Sequence, residues 1–370
     1  KRTGLRVLIL TYNITLRNYI HDKISQVRED FAWNNFLIIH YHEFFKSMAN
    51  NLGLPITSLI DFNREDFFEP ASSQTPRFAA IFVDEVQDYR VEWLRGLRRY
   101  FLQEEGEFVL FGDEKQNIYG RDLEADRRIQ TNIRGRWNEL TTTFRLSERI
   151  VRVATAYQNH FLKRRYDLDA IEIAPEQLSL FDATQHFEYF DMSGAGDVVA
   201  EVFDLYRSLC ERYGIHPNDV CIVSSRIPFL RELDYLIRTA ARERTMTMFE
   251  SKEAYNELCK SISHHEELDD AVEGLRKAKK FHFWMNPGTV KLATIHSFKG
   301  WEISTLILVL FADQATVRQN GEMEAREAIA DEELVYTAIT RCRHNLFVAN
   351  FGNRKYHEFF SRAGNYEKRG

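Results

Sequence analysis

Short apolar runs alternate with longer amphipathic stretches along the chain. The runs at 5–10, 36–40, 79–83, 108–111, 220–224, 290–294, 306–311 and 346–349 are of strand length and rich in Val, Ile, Leu and Phe. Segments at 15–27, 91–103, 147–162, 196–213, 228–241 and 324–340 repeat their apolar residues near a helical period, as helices with one buried face do. Apolar strands separated by such helices are the rhythm of parallel sheets covered by helices. The pattern predicts an α/β fold. The polar, Arg-rich stretch 121–136 follows one strand set and precedes the next, which predicts a first domain over 1–136 and a second over 137–370. A second irregular zone spans 163–185, and a short insertion is expected near 242–289.

Composition narrows the function classes. With 44% hydrophobic and 28% charged residues among 370, the chain is globular and long enough for two separate cores. Its net charge of -6 means that any nucleic-acid contact comes from a local basic stripe. Tracts at 90–99, 127–136 and 276–280 are candidates, each open to the alternative of a solvated helix face. Cys210, Cys221, Cys259 and Cys342 are far apart and contain no CxxC pair, which argues against zinc and disulfide frameworks and suits a reducing, cytoplasmic setting. The apolar runs fall well short of the roughly 20 residues that span a bilayer.

Chemistry concentrates where the apolar runs end. The run at 79–83 leads directly into Asp84-Glu85-Val86-Gln87-Asp88, and the run at 108–111 leads into Gly112-Asp113-Glu114-Lys115-Gln116. Carboxylates at the carboxyl ends of parallel strands lie where open α/β sheets bind ligands. Asp84 there serves either as a ligand for hydrated Mg²⁺ or as the cap of the helix that follows.

The sequence DEVQD followed by GDEKQNIY resembles motifs II and III of superfamily 1 DNA helicases of the UvrD/Rep type. The remaining motifs follow in order. LTYN at 10–13 resembles motif Ia, 40–45 the next DNA-contacting segment, and LTTTFRLSERI at 140–150 motif IV. VKLATIHSFKGWE at 290–302 is similar to motif V, and EELVYTAITRCRHNL at 332–346 to motif VI. The resemblance implies two RecA-like domains of the P-loop NTPase type that close on ATP and Mg²⁺ and move along single-stranded DNA, with 3′ to 5′ polarity. By this analogy Asp84 holds Mg²⁺, Glu85 activates water and Gln116 reads the γ-phosphate. Arg145 and Arg341 are arginine fingers, a role that supplies roughly 10³–10⁵ in rate. Asp113 and Gly300 fall at nucleotide-binding positions, and Glu302 at the one that contacts the ribose. Thr11, Tyr12, Asn13, His42, Tyr119, Arg121, Thr294, His296 and Lys299 match DNA-facing positions. Tyr119 either stacks on a base or packs beneath its turn. Arg121 stands where family members usually carry a bulky aromatic, so a guanidinium face replaces the ring.

One expected motif is missing. No GxxxxGK[ST] occurs, and the family places that phosphate loop just before motif Ia. The opening KRTG reads as a last basic helical turn and a stop glycine, so an N-terminal segment or another chain is expected to complete the first domain. These residues alone are not expected to hydrolyse ATP. Short accessory insertions make partner-dependent unwinding the expectation. Gln177, Leu178, Leu180 and Phe181 lie in a pentapeptide that resembles the motif by which bacterial proteins bind the replication sliding clamp; the alternative is an ordinary loop. The motor reading, in DNA repair, recombination or defence, stands beside a non-catalytic nucleic-acid-binding or scaffold module of a nuclease–helicase system.

Overall fold

The computed structural model describes residues 5–27, 32–116, 118, 131, 137–138, 140–168, 171–174, 185–312, 331–363 and 365–368. The chain divides into two compact units, Lys1–Asn138 and Glu139–Gly370.

The first unit is a four-stranded parallel sheet with helices against it. Its elements run β1 (Val7–Thr11), α1 (Leu16–Ser25), β2 (Phe36–His40), α2 (Tyr41–Asn51), β3 (Phe78–Val83), α3 (Val91–Gly96) and β4 (Leu102–Leu110). The spatial order is β2-β1-β3-β4. Leu8 and Leu10 of β1 and Ile81 and Val83 of β3 are fully buried, and α2 adds Tyr41, Phe44, Phe45 and Met48 to the same core. All four strands are parallel, so their carboxyl ends, and the residues that follow them, gather at one edge of the sheet.

The helix expected over 91–103 runs from Val91 to Phe101, its last turn in π form. After Val91–Gly96 the chain makes a π turn over Leu97–Phe101, and Leu102 already pairs with Phe78 as the first residue of β4. The Arg77 guanidinium caps the end of this helix, donating to Arg99 O at 3.0 Å and Leu102 O at 2.8 Å.

The second unit holds a seven-stranded parallel sheet of order β13-β7-β12-β11-β8-β10-β9 and a separate two-stranded pair. It comprises β5 (Thr142–Thr143), α4 (Glu148–Tyr157), β6 (Glu172–Ile173), β7 (His186–Asp191), α5 (Val198–Tyr213), β8 (Val220–Ser224), α6 (Ile227–Leu236), β9 (Thr245–Thr247), α7 (Lys252–Ser261) and α8 (His265–Phe281). It continues with β10 (Val290–Thr294), α9 (Ile295–Phe298), β11 (Ile303–Phe311), α10 (Asp331–Arg341), β12 (Cys342–Phe351), α11 (Arg354–Ala363) and β13 (Asn365–Lys368). Helix α5 shows how local sequence sets its own limits. The Asp197 carboxylate accepts the N–H groups of Val199 and Ala200 at its start, and Gly214 adopts φ 62° just past Tyr213.

Polar groups are built into this second core at three places. Glu250, fully buried, takes two bonds from Arg276 of α8, at 2.7 and 3.0 Å, and lies 3.6 Å from Arg231 of α6, so the segment 242–289 is fastened to the sheet's covering helices. Lys291 of β10 is buried and donates to the Asn218 carbonyl. Asn350 of β12 donates to the Tyr189 hydroxyl at 2.9 Å and to Asn353 O at 2.8 Å, while Asn353 donates to Phe311 O at 3.0 Å, joining β7, β11 and β12. Among the described residues no helix is long and apolar enough to cross a membrane.

Candidate functional site

In the first unit the acids at the strand ends form one connected structure. Asp84 follows β3 and keeps the sheet's pairing, its N–H donating to Leu10 O at 3.0 Å. The chain then turns sharply, because Glu85 adopts the left-handed conformation with φ 55°, one of two described non-glycine residues to do so. Its N–H is held by Asp84 Oδ1 at 2.9 Å. The turn sends the Glu85 side chain inward, where it is 9% exposed and accepts the Gln87 amide at 2.5 Å. The carbonyl end of Gln87 accepts the Asp113 N–H at 3.2 Å, and the Asp113 carboxylate accepts Gln116 Nε2 at 2.9 Å. Glu85, Gln87, Asp113 and Gln116 therefore form a single hydrogen-bonded line across the ends of β3 and β4. Lys115 Nζ, buried with its turn, lies 3.4 Å from Asp113 and 3.6 Å from Glu114, so a cation neutralises the acids at the β4 end.

Oxygen donors of this type suit Mg²⁺, which takes one or two carboxylates and leaves its other positions to water and phosphate. Asp84 fits that role as a carboxylate at a strand end, while the buried Glu85 carboxylate beside it accepts from Gln87. No cluster of three or more acidic, His or Cys ligands occurs among the described residues, so an all-protein metal cage is not what these side chains build.

The same edge of the sheet carries Thr11, Tyr12, Asn13 and His42. Thr11 is buried and donates to Asn13 O at 3.1 Å, and the Asn13 side chain accepts both Thr15 N–H and Thr15 Oγ1, which fixes the turn into α1. Tyr12 stacks near-parallel to Trp93 with centroids 6.3 Å apart, and His42 meets the Trp93 edge at 5.0 Å and the His40 ring at 5.2 Å. Tyr12 and His42 are thus half-buried members of a rigid aromatic cluster.

The second unit assembles two groups. Ser147 N–H donates to Arg343 O at 2.9 Å, so the segment that follows Arg145 runs beside the one that follows Arg341. Arg341 closes α10 and is buried; Arg145 is half-exposed in a turn held by the Thr143 hydroxyl. The other group lies at the end of β10. Thr294 caps the single turn α9 by accepting Ser297 N–H at 3.1 Å. His296 sits in that turn, with its pKa pushed down to about 4 by burial and by the positive charges of Lys280 and Lys299. Lys299 is buried, Gly300 takes φ 88° and Glu302 is half-buried just before β11. Only glycine accepts that φ at no cost, so Gly300 lets the chain leave Lys299 and enter β11 directly.

Tyr119, Arg121, Gln177, Leu178, Leu180 and Phe181 lie outside the described residues, as do the phosphate-tracking candidates at 127–130 and 132–136. The sequence reading missed Gln87, although it quoted the pentapeptide that contains it. Part of its signal was available: an amide between two acids, two residues from Glu85, in a segment leaving a buried strand. No protein-family description matches this chain, and no curated protein matches it.

Proposed function

We propose that the protein is part of an ATP-dependent translocase acting on single-stranded DNA, with RecA-like domains of the P-loop NTPase type. One observation carries this reading: the unbroken line Glu85–Gln87–Asp113–Gln116 across adjacent parallel strand ends. It couples a buried carboxylate able to polarise water with an amide able to sense a phosphate, so a change at Gln116 reaches Glu85 through three hydrogen bonds. Structural capping needs only one of these groups. Asp84 would hold Mg²⁺, which would supply positive charge to a bound nucleotide, and Arg145 and Arg341 would take the finger role the resemblance gives them. The aromatic cluster around Tyr12 and His42 supports contact with bases, since ring stacking tolerates any sequence.

The test is single-strand-stimulated ATP hydrolysis by the product of the whole gene, compared with its Glu85→Gln variant. Turnover that needs DNA and Mg²⁺ and falls by at least 10³-fold in the variant supports the motor. A wild-type protein without turnover under those conditions overturns it.

A further inference from the structure

Helix α8 keeps one face on the second unit and turns the other outward. Val272 is its one buried residue, and Glu250 fastens it through Arg276. Glu267, Asp270, Gly274, Lys277 and Phe281 recur at intervals of three and four, so they form a row opposite Val272. The first four are exposed and Phe281 is half-buried. Charge is segregated along this helix: Glu266, Glu267, Asp269, Asp270 and Glu273 come first, then Arg276, Lys277, Lys279 and Lys280. The helix dipole favours acids in the first turn and cations in the last, which accounts for Glu266, Glu267, Lys279 and Lys280. It does not account for Asp270 and Glu273 further along. Glu266 with Asp270, and Asp269 with Glu273, are like charges four residues apart that repel within the helix. Among the described residues no ion pair offsets these acids. The opposite order of charge laid alongside would offset them, and the same helix run antiparallel has that order.

A second observation falls where the charge changes sign. Gly274 stands there, in the middle of the outward row and inside the helix. A Cβ at this position would meet no atom within 4 Å. Neither a turn nor packing within the chain therefore asks for glycine, which weakens a helix interior. A bare position at the centre of an exposed row does let a second helix approach closely, because the side chains at a crossing set the distance between the axes.

We propose that α8 docks on α8 of a second copy of this chain, antiparallel and about a two-fold axis at Gly274. Asp270 of each copy then lies beside Lys277 of the other, and the acidic end of each helix beside the basic end of its mate. A parallel pairing would set acids against acids, whereas this contact uses one patch on both copies and closes at the dimer. A single helix pair is a small interface, so the dissociation constant is on the order of 10–100 µM. The pairing does not depend on the function proposed above.

The experiment is sedimentation velocity of the 370-residue chain over a concentration series at low and high salt. The wild-type chain shifts from monomer towards dimer as concentration rises, and salt weakens the shift. Asp270→Lys and Lys277→Asp each weaken association roughly tenfold or more, because like charges then face each other. An equimolar mixture of these two variants, and the double variant Asp270→Lys, Lys277→Asp, recover it, which a merely structural effect of either substitution cannot do. Gly274→Leu also abolishes the dimer, while its unfolding midpoint stays level or rises because leucine favours a helix. A wild-type chain that remains monomeric at about 0.2 mM and low salt overturns the proposal and leaves the row to a partner of another kind. A dimer that none of these substitutions alters lies on another surface, and overturns it too.

Discussion

The amide nitrogen of Gln87 lies 2.5 Å from Glu85 Oε2, inside a turn where the carboxylate is almost wholly buried. Removing the donor leaves a desolvated acid, which costs about 1–3 kcal/mol. Gln87→Ala is therefore expected to lower the unfolding free energy by that amount. Under the function proposed above, the same variant of the whole gene product is expected to lower kcat for DNA-stimulated hydrolysis at least tenfold with little change in KM, since Gln87 would act by orienting the acid it bonds. Urea unfolding and steady-state kinetics measure the two effects separately.

Glu85 itself sits at φ 55°, where a Cβ is unfavourable. Glycine alone adopts this conformation freely, and the strain on other residues is about 1 kcal/mol or more. Glu85→Gly is expected to be more stable than Glu85→Ala by about 1 kcal/mol, the reverse of the usual order in regular structure. Chemical denaturation of the two variants decides it. An Ala variant as stable as the Gly variant would mean that the turn relaxes.

Buried Lys291 has its pKa lowered from 10.5 to about 8, chiefly by burial. Below pH 8 both folded and unfolded chains carry the proton, and the folded state bears the full cost of the buried charge. Between pH 8 and 10.5 the unfolded chain holds a proton that the folded chain has released, so this group makes stability rise with pH across that window. The difference in unfolding free energy between wild type and Lys291→Met should shift by about 2–3 kcal/mol in favour of wild type from pH 7.5 to 10. A difference constant with pH would place the lysine's charge in water.

Glu250 holds Arg276 and faces Arg231 with no exposure of its side chain. Breaking such a pair leaves charges behind and costs about 3–5 kcal/mol, less here because Arg276 is a third exposed. Glu250→Ala is expected to raise hydrogen exchange over α8 while β8 and β11 stay protected. Equal loss of protection in the strands would show that α7 and α8 unfold with the sheet and not before it.

Much of the layout was legible because parallel strands buried on both faces leave an unmixed apolar trace. β8 and β10 begin and end where the runs at 220–224 and 290–294 do. β7 left no such trace: His186, Glu188 and Asp191 break its run, and its partners on either side come from residues more than 150 positions later. α2 was hidden by an aromatic start that reads as a contact segment. The site divides in the same way. Asp84 and Glu85 announce themselves as acids directly after a buried run. The link from Gln87 to Asp113 spans 26 positions, so it has no local spacing to betray it.

β11 reads ISTLILVLF and is buried along most of its length, so its letters alone scarcely distinguish one alignment with its neighbours from another two residues away. The Asn353 amide counters that ambiguity by donating to the Phe311 carbonyl at the end of β11, while Asn350 ties the neighbouring β12 to β7 through the Tyr189 hydroxyl. A strand buried along most of its length thus takes its address from a polar side chain beyond it, and what that group contributes is selection among near-equal folds more than cohesion.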